Sequence, residues 1–117
     1  MANIQNKTNG TVVVHATANL TLTIAGNNSV SNVAIGNEVL TGATIKQVWF
    51  GSPGHWIIKR GSNTVGVYNN SGHVSYGASG TSINLDNAAT LVVELVGTAN
   101  GYIMVELQKL GTLPSSY

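Results

Sequence analysis

The residues of this chain that could do chemistry are few: the carboxylates Glu38, Asp86, Glu94 and Glu106, the histidines His15, His55 and His73, and the tryptophans Trp49 and Trp56. If a loop centred on Ala99 folds residues 91–107 into a hairpin, Glu94 and Glu106 sit diagonally on one face, about 7–8 Å apart. Glycosidases place their two carboxylates at comparable separations. Here the pair would lie among aliphatic residues on a flat strand surface, so the expectation is two side chains that reach the rim or pair with Lys or Arg. The histidines show neither H-x-x-x-H nor H-E-x-x-H spacing. A zinc site would need further ligands at about 2 Å, and nothing in the spacing supplies them. No serine stands in a G-x-S-x-G elbow. Gly77-Ala78-Ser79-Gly80 lacks the following helix whose N-terminus would cradle a phosphate. No catalytic residue, cofactor or metal is expected.

The tryptophans offer a different chemistry. Residues 49–56 read as a hairpin around Ser52-Pro53-Gly54. A four-residue loop sets Trp49 opposite Trp56, flanked by Gln47, Ile58 and Arg60, whereas a two-residue loop slips the register and loses the pairing. An exposed pair would form a sugar-stacking platform. A buried or interfacial pair would contribute its apolar area plus about 0.5–1.5 kcal/mol of specific geometry. The second reading is preferred, and Trp is a frequent interface anchor.

These side chains must be positioned by strands. Apolar residues alternate with period two or come in short Val-, Ile- and Thr-rich runs, broken by Gly/Asn/Ser clusters. That is the pattern of an antiparallel sandwich or barrel, and no amphipathic helical run accompanies it. Strands are expected at 3–8, 11–16, 19–25, 29–35, 38–41, 43–50, 55–60, 63–69, 73–76, 81–84, 89–97 and 101–109. A helical turn fits only near residues 86–90. Asn9-Gly10 suits a type I′ hairpin turn. The first strand has only Ile4 as an apolar residue and reads as an edge strand, or as an arm over residues 1–10 laid on a neighbour. Leu20, Leu22 and Ile24 alternate with threonines, as in a half-buried strand.

The expected C-terminal hairpin has two apolar faces. Leu91, Val93, Leu95, Ile103, Val105 and Leu107 form a core face. Val92, Glu94, Val96, Tyr102, Met104 and Glu106 form the other, which is two-thirds apolar. Such a face needs cover from another sheet or from a subunit.

Composition points the same way. Of the 117 residues, 43% are apolar, enough for one core and one domain spanning 1–117. Only 8% are charged, against about 25% in a typical soluble domain, and the net charge is +1. Such a surface favours association. The scattered Lys7, Lys46, Lys59, Arg60 and Lys109 do not make the basic patch that nucleic acid requires. The chain has no cysteine. Residues 1–8 lack a basic and apolar leader pattern, and no apolar run reaches the length of a membrane span.

Five stretches then carry a resemblance. Leu40-Thr41-Gly42-Ala43-Thr44-Ile45-Lys46-Gln47-Val48-Trp49-Phe50 is followed by Trp56-Ile57-Ile58-Lys59-Arg60-Gly61-Ser62-Asn63-Thr64-Val65. Later come Gly80 to Asp86, Ala89-Thr90-Leu91-Val92-Val93 and Tyr102-Ile103-Met104-Val105-Glu106-Leu107-Gln108-Lys109. Over most of residues 20–110 this resembles small virion structural proteins of tailed bacteriophages, especially those of marine and cyanobacterial phages. The resemblance implies an all-β antiparallel sandwich, with jelly-roll topology as one form. It also implies a capsid decoration or cement protein made in the host cytoplasm. Such a protein sits on the outer capsid, binds the major capsid protein and often forms a homotrimer. Tail, neck or fibre components and a carbohydrate-binding module are the alternatives. The expected interface residues are Ile4 in the arm, Val92, Val96, Tyr102 and Met104 on the second apolar face, and Trp49 and Trp56 as aromatic anchors.

Overall fold

A computed structural model describes residues 2–6, 10–76 and 87–112. Among them there are eight strands and no helix. The strands are β1 (Ala2–Asn6), β2 (Thr11–Ala16), β3 (Leu20–Leu22), β4 (Gly26–Asn27), β5 (Val39–Arg60), β6 (Asn63–Ser75), β7 (Leu91–Val96) and β8 (Tyr102–Thr112). All pair antiparallel in one curled sheet, ordered β1-β2-β8-β5-β7-β3, with β4 and β6 also paired to β5.

The centre of the sheet is the 22-residue β5. The three strands expected at 38–41, 43–50 and 55–60 are this single strand, and those expected at 63–69 and 73–76 are the single β6. Gly51-Ser52-Pro53-Gly54 is therefore not a hairpin turn. It is a corner within β5, where the register jumps from Gly51↔Ser71 to His55↔Asn69 against β6. A Cβ on Gly54 would stand 2.2 Å from the Val96 carbonyl oxygen. The backbones approach too closely there for any side chain, which is the role a glycine at a sheet corner serves. The true hairpin follows at Gly61-Ser62, between the Arg60↔Asn63 pair, with Gly61 at φ 62°.

The C-terminal hairpin is also absent. β8 pairs with β5 from Val39↔Thr112 to Gly51↔Tyr102, and β7 pairs with the same edge from His55↔Val96 to Arg60↔Leu91. The two strands thus follow one another along β5 instead of pairing with each other. Their faces are nevertheless as the alternation predicts. Leu91, Val93, Ile103, Val105 and Leu107 are buried and Leu95 packs against them, while Val92, Glu94, Val96, Tyr102, Met104 and Glu106 face outward. Period two sets the face whatever the partner.

One core cluster runs through the sheet. Val12, Val14 and Ala16 of β2 meet Leu107, Val105 and Ile103 of β8 in register, and these meet Ile45, Val48 and Phe50 of β5. Bulges at Leu40/Gly42 and Ile45/Gln47 each insert a residue, which keeps Leu40, Ala43, Ile45 and Val48 on one face despite their spacing. Beyond the corner Trp56, Ile58 and Arg60 face inward against Leu95, Val93 and Leu91.

Residues 29–35 form no strand. Asn27 begins a turn, its carbonyl accepting the Val30 and Ser31 amides and its side chain the Ser29 amide, although Val33 and Ala34 beyond it are buried. Residues 87–89 are in turns and bends and not helical, and Asp86 and the strand expected at 81–84 lie outside the described residues. β1 is an edge strand as expected, but the Ile4 side chain packs against the protein's own core, so it is not an exposed contact. Of the Asn9-Gly10 dipeptide, Gly10 stands just before β2 at φ 87°, and Asn9 lies outside the described residues.

Candidate interface on the outer sheet face

β2, β8, β5 and β6 bring one row of outward side chains together. His15 pairs with Met104, Met104 with Trp49, and Trp49 with His73. Across the last pair the indole and imidazole stack, with centroids 5.0 Å apart and planes at 14°. The His73 ring therefore takes one face of Trp49. In the next row the Gln47 Nε2 donates to Glu106 Oε1 at 2.7 Å, and the Gln47 Oε1 lies 2.9 Å from His73 Nε2. A carboxylate only accepts, so the amide nitrogen must face Glu106. The amide oxygen then accepts from His73, whose Nε2 carries the proton. A chain of carboxylate, amide and imidazole thus buttresses the half-exposed Trp49.

At the corner the Tyr102 ring lies over Gly51, since a Cβ there would meet the ring at 2.4 Å. An aromatic ring covering a strand glycine shields backbone that has no side chain of its own. Tyr102 is nevertheless 45% exposed. Beyond the corner Ile57 is flanked by Glu94 and Val67, and His55 by Val96 and Asn69. Val67 and Val96 are exposed. Lys59 and Glu94 form an ion pair at 2.9 Å, each about one-third exposed. Water screens such a pair, and its contribution is about 0–1 kcal/mol.

The nine formal charges distribute unusually. Lys7 and Asp86 lie outside the described residues. Glu38, Arg60 and Lys109 are buried. Lys46, Lys59, Glu94 and Glu106 are half-buried, so among the described residues no charged side chain stands fully exposed. The buried charges have structural partners. Lys109 Nζ lies 2.8 Å from Glu38 Oε1, which also accepts the Ile35 amide at 2.8 Å. Arg60 donates to the carbonyls of Ala43, Asn87 and Ala89, tying the segment before β7 to β5. Arg60 and Lys109 were legible as inward residues, since each continues an alternating core run: Trp56-Ile58-Arg60 and Val105-Leu107-Lys109. Glu38 lies in a loop and has no such signal.

The expected constellations separate in three dimensions. Trp56 is fully buried, its indole N–H donating to the Gly51 carbonyl at 3.3 Å, and it neither faces Trp49 nor reaches a surface. Both the sugar platform and the anchor role expected of Trp56 fail, because the strand does not turn between the two residues. Glu94 and Glu106 lie on opposite sides of the corner, one beside Ile57 and one beside Gln47. His15 and His73 are three strands apart, roughly 14 Å at the usual strand spacing, and His55 lies past the corner. Among the described residues no three His, Asp or Glu come together as a metal site. An open cleft of about 380 Å³ is lined by Thr17, Ala18, Asn19, Leu95, Thr98 and Ala99, which bring hydroxyls, an amide and aliphatic carbons. No family model, curated protein or solved structure matches the chain.

Proposed function

We propose that this chain is a non-enzymatic structural protein of a tailed-phage virion. In this reading it is a decoration or cement protein that sits on the outer capsid and binds the major capsid protein, needing neither nucleic acid nor membrane. The observation that carries the reading is the character of the outer face. Val67, Val96 and Tyr102 are exposed, Val92, Met104 and Trp49 are half-exposed, and no charged side chain among the described residues is fully exposed. A surface of this kind gains by being covered. Capsid shells offer such cover through many modest contacts, each of standard size burying about 800 Å² per partner. In that setting the corner of β5 would turn the curled sheet over itself as a sandwich, jelly-roll or related.

Co-sedimentation with empty shells of the encoding phage tests the reading. The wild type should pellet at a fixed ratio to the major capsid protein. Val96→Asp/Tyr102→Asp should weaken pelleting at least tenfold, while Val30→Asp, on an exposed turn, should leave it unchanged. Absence of pelleting by the wild type overturns the capsid assignment, and binding to isolated tails instead would move the protein to the tail.

A further inference from the structure

Asparagine is a thermolabile residue, because the backbone nitrogen that follows it can attack its side-chain amide. A side chain on that next residue stands in the way, and glycine has none. Two asparagines precede glycine, Asn9 and Asn100, and Asn9 lies outside the described residues. Asn100 is exposed in the loop between β7, which ends at Val96, and β8, which begins at Tyr102. Its backbone amide donates to the Thr98 Oγ1 at 3.1 Å, a threonine turn that orders the backbone without engaging the carboxamide. Other asparagines are restrained. The carboxamides of Asn19, Asn27, Asn28 and Asn32 are hydrogen-bonded, and Asn69 and Asn70 lie within β6. Gly101 precedes the first residue of β8, and packing dictates that it be glycine. A Cβ there would lie 2.8 Å from the Ser52 Cβ and 2.9 Å from the Gly51 carbonyl oxygen. The corner of β5 therefore demands glycine at 101, and that glycine leaves Asn100 open to attack.

We infer that Asn100 is a site of spontaneous covalent modification in the folded chain, with water as the co-reactant. The Gly101 backbone nitrogen gives its proton to hydroxide and bonds to the Asn100 Cγ. The Cγ–Nδ2 bond breaks, and ammonia leaves with a proton taken from water, which restores the hydroxide. Water then opens the five-membered imide at one of its two carbonyls, leaving aspartate or isoaspartate at position 100. One water is consumed, one ammonia is released and nothing is oxidised or reduced. The consequence is large because the chain holds so few charges. Five Lys and Arg stand against four Asp and Glu, a net charge of +1, so one new carboxylate cancels it. The new charge is exposed, on a surface where no charged side chain among the described residues is fully exposed, and it lies two residues from Tyr102. A chain of zero net charge loses the repulsion that keeps copies apart. The modification thus acts as a timer on the charge of the protein, whatever partner the protein binds.

The test uses the full chain carrying Asn9→Gln, which silences the other Asn-Gly pair. The folded protein is kept warm in mildly alkaline buffer and sampled by isoelectric focusing and peptide mass mapping. Near-ultraviolet circular dichroism from buried Trp56 checks that it stays folded. One acidic isoform should accumulate, faster as pH rises, with an isoelectric point shifted down from about 8.1 towards neutrality. It should migrate with an Asn9→Gln/Asn100→Asp standard, and mapping should place its new carboxyl at position 100. Asn9→Gln/Asn100→Gln should not form it. An intact amide at 100 in the folded chain, while the urea-unfolded chain converts, overturns the inference. So does an isoform that survives Asn100→Gln, or one whose new carboxyl maps to another asparagine.

Discussion

Lys109→Met asks whether the buried ion pair is as dry as its geometry implies. Methionine keeps the aliphatic length and removes the Nζ that lies 2.8 Å from Glu38 Oε1, where both side chains are wholly excluded from solvent. Glu38 keeps the Ile35 amide but loses its ammonium partner. Removing one member of a buried pair typically costs about 3–5 kcal/mol, because the remaining charge is left uncompensated. That is a large share of the roughly 5–15 kcal/mol that holds a domain folded. At about 4 °C per kcal/mol for a chain of this size, the midpoint should fall by roughly 12–20 °C. Urea unfolding followed by circular dichroism measures the loss directly. Lys109→Met/Glu38→Gln removes the charge while leaving an oxygen to accept the Ile35 amide, so it should recover about half of the loss. A single-variant cost below about 1 kcal/mol, as for a solvated pair, would refute the reasoning. So would a double variant whose cost equals the sum of the two singles.

Three further outcomes follow from the same geometry. Burial, with the hydrogen bond to the Tyr76 hydroxyl at 2.6 Å, raises the Tyr68 phenol far above its ordinary value of 10.0. The unfolded chain therefore releases this proton above pH 10 while the folded chain keeps it, and the associated stability is complete below pH 10 and declines as pH rises. Alkaline unfolding curves of Tyr68→Phe should show a shallower decline above pH 10, after an initial loss of about 1 kcal/mol for the hydrogen bond. Gly54→Ala should cost at least 2 kcal/mol in urea titrations, because its methyl meets the Val96 carbonyl backbone and no side chain can swing away. In iodide quenching, Trp56→Phe should leave a partly accessible emitter and Trp49→Phe a shielded one, and His73→Ala should increase quenching by baring the stacked face of Trp49.

What the chain by itself determined is the local part: the all-β class and which side chains of a strand share a face. Those follow from backbone geometry and period two, so Leu91, Val93, Ile103, Val105 and Leu107 are inward whichever strand they pair with. Tertiary structure alone decided the partners. Ser52-Pro53-Gly54 carries the chemistry of a turn, yet β5 runs through it, because β6 lines one edge on both sides of the corner while β8 and then β7 line the other. Hydrogen bonds to strands distant in sequence outweigh a local turn preference, and no short window of residues contains them. The same long-range pairing buries Trp56, separates Glu94 from Glu106, and sets Gln47 between Glu106 and His73. Period two already sets Val96 and Tyr102 on the outer face, and the curled sheet, with one core, has one face to bury and one to offer.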